Sequence, residues 1–113
     1  MDDRPGLGSA LRRGTLEFCV LALLTDGKRY GVELVRQLGA ETALATSEGT
    51  LYPLLSRLRR SGWVATTWQE SPTGPPRRYY ALTADGLAAL IYFKAEWVAF
   101  RSAVDRIVGT EPP

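Results

Sequence analysis

Apolar positions change their period three times along this chain, and each change marks an element. "TLEFCVLALLTDG", from Thr15, is almost continuously apolar until Gly27, which predicts a buried helix stopped by a C-terminal glycine. After the turn "DGKR", the stretch "YGVELVRQLGAET" puts Gly31, Leu34, Val35 and Leu38 on one side and Glu33, Arg36 and Gln37 on the other. That is an amphipathic second helix. "ALATSEGT" breaks the pattern, and Ser47 is a good N-cap for a third helix running to about Arg60 and closed by Gly62.

The period then shortens. "WVATTWQE" and "RRYYALT" are rich in β-formers and read as two strands, and "SPTGPP" between them predicts a hairpin with a mobile tip. Thr83 follows as an N-cap with Asp85 in the first turn, and a long helix continues to about Val108 before Gly109 and the terminal prolines. In that helix Leu90, Phe93, Trp97, Phe100, Val104 and Ile107 recur at alternating spacings of three and four, which is a heptad seam for a partner helix. Leu87, Ile91 and Val98 lie to one side and are expected to dock the helix on its own domain. The seam is shorter than a self-supporting coiled coil, so docking on the partner's domain is also expected.

Helix, helix, helix and hairpin is the order of a winged helix-turn-helix, whose third helix enters the DNA major groove. The expected fold is therefore mainly α with a small β-hairpin: a winged helix-turn-helix followed by a long C-terminal dimerisation helix. Its expected parts are a flexible N-terminal arm (1–13), a DNA-binding domain (14–83), the dimerisation helix (84–109) and a tail (110–113). In "TLYPLLSRLRRSG", Leu51, Leu54, Leu55 and Leu58 form a core face, while Gly49, Tyr52, Pro53, Ser56 and Arg60 lie opposite. Gly49 allows close approach, Tyr52 offers a ring and a hydroxyl, and Ser47 stands where free N–H groups face phosphate. Pro53 crowds the carbonyl of Gly49 and should loosen the first turn. Arg57, Arg59 and Arg60 alone would be an ordinary solvated face. Arg77 and Arg78 in the hairpin supply a second basic element that could flank the same duplex.

Composition narrows the function classes. With 113 residues, 45% hydrophobic and 23% charged, the chain has the make-up of one folded domain. No apolar run approaches the ~18 residues of a membrane span, and "MDDRPGLGSALRRG" lacks a signal-peptide core, so a cytoplasmic location is the default. Net charge is only +2, so the placement of charge has to carry any argument for DNA. With one cysteine and no histidine, neither a disulfide framework nor a Cys/His zinc site can form within one chain, and histidine acid-base chemistry is excluded. Cys19, inside "LEFCVLALL", belongs to the core. No cofactor or metal is implied, and no phosphate-binding glycine loop organises the carboxylates into an enzyme site.

Three stretches carry a resemblance to the PadR-like transcriptional regulators: "YGVEL" (Tyr30 to Leu34), "SEGTLYPLLSRLRRSGWV" (Ser47 to Val64) and "RRYYALTADGLAAL" (Arg77 to Leu90). It covers roughly Gly14 to Leu90. The resemblance implies a dimeric winged-helix repressor, responsive to a small molecule and binding an inverted-repeat operator. Thr50, Leu51 and Tyr52 then fall in the recognition helix, and Arg77 and Arg78 in the wing. Arg59-Arg60 departs from the family, many members of which carry an acidic residue there. At the centre of the seam, Phe93, Trp97 and Phe100 are candidate effector-binding residues, able to line an apolar slot for a flat aromatic compound. The alternative is a winged-helix protein-protein interaction module without DNA binding.

Overall fold

The computed structural model describes residues 11–113, so most of the expected N-terminal arm lies outside the described residues. The elements are α1 (Leu16–Leu23), β1 (Arg29–Tyr30), α2 (Gly31–Gly39), a short 3-10 turn (Thr42–Leu44), α3 (Glu48–Arg60), β2 (Val64–Ser71), β3 (Gly74–Leu82) and α4 (Ala84–Val108). Three helices followed by a hairpin and a long helix is the architecture the pattern predicts.

One core joins them. Leu16, Val20, Leu21 and Leu24 from the α1 region meet Leu34 and Leu38 of α2, and Leu51, Leu54, Leu55 and Leu58 of α3. Val64, Tyr80 and Leu90 close it from the hairpin and α4. At roughly 1.5–3 kcal/mol for each fully buried aliphatic side chain, this cluster is the principal stabilising term. Cys19 packs half-buried at its margin.

Helix ends follow their capping chemistry. Ser47 accepts a hydrogen bond from the Thr50 N–H at 3.2 Å and starts α3. At the other end Gly62, with φ +79°, sends its N–H to the Arg59 carbonyl while the Trp63 N–H reaches Leu58, which is the paired closure of a Schellman motif. Pro53 does not interrupt α3: the helix continues through it to Arg60. α1 is shorter than expected, ending at Leu23 with Leu24 as its cap; Gly27, at φ +152°, shapes the turn beyond it and does not stop the helix.

The sheet corrects two further expectations. Arg29 and Tyr30, read from sequence as a turn and a helix start, form a strand that pairs with Tyr80 and Tyr79, giving the order β1-β3-β2. Two residues carry no period, so this strand has no signature. The hairpin turn is also tighter than "SPTGPP" suggests, because Ser71 already pairs with Gly74 and only Pro72 and Thr73 lie between them. Pro75 and Pro76 are tolerated within β3 because this end of the strand extends past β1 and has one edge unpaired.

α4 attaches differently from the expectation. Leu90 is 2% exposed in the chain's own core, and Phe93 stacks face to face on Phe18 of α1 with ring centroids 4.2 Å apart. Leu87, Ile91 and Val98, expected to dock the helix, are 43%, 59% and 53% exposed. Heptad spacing alone does not say whether an apolar stripe meets the chain's own domain or another.

Candidate nucleic-acid interface

With 100° between successive residues, the exposed side of α3 divides into three strips. Gly49, Pro53, Ser56 and Arg60 form the middle strip, all exposed. Thr50 and Arg57 turn toward α1. There they border a cleft of about 430 Å³ with Arg12, Arg13, Ser47 and Pro53. Arg57 pairs with Glu17 of α1 at 3.5 Å, and the Thr50 hydroxyl accepts from Ser47 at 3.3 Å, so both are partly engaged by the fold.

Tyr52 turns the other way, toward α2 and the hairpin. A Cβ placed on Gly31 would lie 2.6–2.7 Å from its ring carbons, so the ring rests directly on the glycine backbone. The residue is still 40% exposed. Burial, with the neighbouring Glu48 carboxylate and Tyr80, raises its pKa above the ordinary tyrosine value. It therefore presents a neutral hydroxyl over the physiological range.

Tyr52 is one wall of a groove of about 700 Å³ between α3 and the wing, whose other walls include Tyr30, Gly31, Trp68, Arg77, Arg78 and Tyr80. Side chains alternate along a strand, so Arg77 and Arg78 leave β3 on opposite faces. Arg77 lies over the Tyr30 ring with its guanidinium carbon 4.5 Å from the centroid. Arg78 lies over Trp68, its direct cross-strand neighbour, at 4.9 Å. Lys28 sits 5.8 Å above Tyr79. Stacking of this kind holds long cationic side chains against the sheet without neutralising them.

Of the residues expected to meet DNA, Tyr52, Arg77 and Arg78 thus line one groove, Ser47, Thr50 and Pro53 border the other cleft, and Gly49 and Ser56 lie between. Arg60 stands apart at the C-terminal end of α3. The expectation did not include Tyr30, Trp68 or Lys28. Trp68 becomes readable only once the tight turn fixes the register that sets it opposite Arg78, and the assumed six-residue loop concealed that register.

The helix pair α2 and α3, flanked by a hairpin with stacked arginines, defines a winged helix-turn-helix of the DNA-binding kind, extended by a long C-terminal helix. Comparison with known proteins takes this further: the transcriptional regulator PadR-like family matches residues 20–91. The chain is 39% identical to a PadR-like transcription factor from Bacteroides fragilis, over 88% of this chain and 95% of that one, with a TM-score of 0.73. It is 36% identical to a PadR family transcriptional regulator from Eggerthella lenta, over 91% and 89%, with a TM-score of 0.78. A Lysinibacillus sphaericus protein of uncharacterised function is 28% identical over 99 residues, 86% of this chain and 91% of that relative. The chain belongs to the PadR-like family of transcriptional regulators. These are DNA-binding winged-helix proteins and not enzymes. No helix among the described residues is long and apolar enough to cross a membrane.

Proposed function

We propose that the chain is a homodimeric repressor, responsive to a small aromatic effector, that binds an inverted-repeat operator with α3 in the major groove and the hairpin beside it. The observation that carries the DNA part is the groove shared by Tyr52 of α3 and by Arg77 and Arg78 of the wing, with the small-residue strip Gly49, Pro53 and Ser56 alongside it. Such a surface lets a helix approach base edges closely while cations meet the backbone. The assembly part rests on α4, where Phe100 and Ile107 are 63% and 85% exposed on the stripe that Leu90 and Phe93 begin.

Effector binding is assigned to the same helix. Phe18, Phe93, Trp97 and Phe100 form a continuous ladder of rings at 4.2, 5.9 and 6.2 Å, a ready stacking surface for a flat apolar compound.

The test is selection of bound fragments from the source genome. The expected result is a two-fold sequence whose half-site centres lie about one helical turn apart, roughly 34–36 Å. Affinity for it should fall linearly in log-log form with salt. Recovery of no duplex, with salt-insensitive binding to a protein partner, would support the interaction module and overturn this reading.

A further inference from the structure

Resting on the DNA-binding reading above, we infer that Trp68 is the positioning residue for Arg78, and that the guanidinium it holds clasps a backbone phosphate of the strand lying between α3 and the wing. The register puts Val64, Thr66 and Trp68 on the same face of the hairpin as Leu82, Tyr80 and Arg78. That face begins in the core, where Val64 and Tyr80 are 2% and 5% exposed, and emerges into the groove, where Trp68 is 63% exposed. The Trp68–Arg78 pair is therefore the point at which the core-facing side of the hairpin becomes a DNA-facing side. Arg77 belongs to the opposite face with Tyr30 and Tyr79.

A guanidinium donates in its own plane, so an indole against its face fixes its orientation and leaves the in-plane donors to an anion. The Nε of Arg78 is buried and has no hydrogen-bond partner among the described residues. Its partner Trp68 offers the Arg78 side chain a ring and no acceptor. Nε itself is enclosed, so a phosphate oxygen entering the groove between Tyr52 and the hairpin would meet the guanidinium at its Nη groups, the end that faces the groove. Placement favours a phosphate over a base edge: the fork is held on the hairpin and not on α3, beside the path of the backbone, where it matches two oxygens of one phosphate.

The experiment measures operator affinity as a function of salt for the full chain carrying Arg78→Ala, Arg78→Lys, Trp68→Ala, Trp68→Phe and the double variant Trp68→Ala/Arg78→Ala, each checked for native circular dichroism. Arg78→Ala should weaken binding on the order of tenfold to a hundredfold per half-site and lower the salt slope of the dimer by about two, one for each half-site. Arg78→Lys should restore the slope but not the full affinity, since lysine keeps the charge and loses the fork. Trp68→Ala should cost about two- to fivefold, Trp68→Phe less, and Trp68→Ala should add nothing once Arg78 is gone. Equal losses for Trp68→Ala with and without Arg78 would overturn the positioning role. Loss of operator discrimination with an unchanged salt slope for Arg78→Ala would overturn the phosphate contact in favour of base readout. If the unmodified chain bound no duplex under conditions where it is folded and dimeric, the DNA reading would fail first, and this inference with it.

Discussion

Two glycines show how single residues hold the interface in place. Gly86, in the first turn of α4, faces the backbone of Trp63: a Cβ there would meet its carbonyl oxygen, lie 2.9 Å from its carbonyl carbon and 2.9 Å from Leu82 Cδ1. The obstacle is backbone tied into the Thr83 hydrogen bond, so it cannot give way. Gly86→Ala should therefore cost about 1–3 kcal/mol of stability, or more, read from the midpoint of urea unfolding. Gly31→Ala presents a different case, because the obstacle is the end of the Tyr52 side chain, which can swing into the groove. It should cost less stability than Gly86→Ala while shifting Tyr52 and weakening operator binding. The opposite ranking would mean that Tyr52 is held by more than its rest on Gly31. Both glycines fall within the motifs that carry the family resemblance, but the reason for each lies about twenty residues away in sequence, and no periodicity expresses such a contact.

At the level of elements, the joint between α3, hairpin and α4 depends on Thr83. Its hydroxyl accepts from the Gly86 N–H at 3.0 Å and donates to the Gly62 carbonyl at 2.7 Å, and its own N–H reaches Trp63 at 3.1 Å. One side chain thus caps α4 and ties it to the glycine turn that closes α3. Thr83→Ala should lose about 1–2 kcal/mol, whereas Thr83→Ser keeps both bonds and should stay close to the parent protein; equal destabilisation by both would assign the effect to the methyl group instead. This cap was legible from sequence because an N-cap acts on residues two or three places ahead. α3 was legible too, through Ser47, four leucines and Gly62 at helical spacing. β1 was not, since its two residues acquire their structure only from Tyr79 and Tyr80, fifty places on. The tight hairpin was missed because proline and glycine content marks a turn without fixing its length.

For the whole molecule the question is what α4 is for. Its 25 residues span roughly 37 Å at 1.5 Å per residue. The chain has a radius of gyration of 15.9 Å, against about 13 Å expected of a compact domain this long, so part of it extends beyond the body. The first half of the apolar stripe, at Leu90 and Phe93, is used on the chain's own domain; Phe100, Val104 and Ile107 continue it as exposed side chains among the described residues. Exposing that much aliphatic and aromatic surface in water is costly, and a second copy of the same stripe is the economical cover. Val104→Glu should then weaken the dimer by several kcal/mol, because the carboxylate would be buried unpaired, while the protomer stays folded, since Val104 is 40% exposed there. Sedimentation velocity should show monomer at micromolar concentration, and operator affinity should fall with it. Ile91→Glu separates this interface from the other exposed stripe: if that variant dissociates and Val104→Glu does not, the partner covers Leu87, Ile91 and Val98. An effector stacked on Trp97 would act through this same contact, and it can release DNA only by binding one arrangement of the two domains more tightly than another. Planar aromatic compounds should therefore quench tryptophan emission and lower operator affinity together, with both effects lost in Trp97→Leu. Quenching that leaves operator affinity unchanged would make the ring ladder a packing device alone.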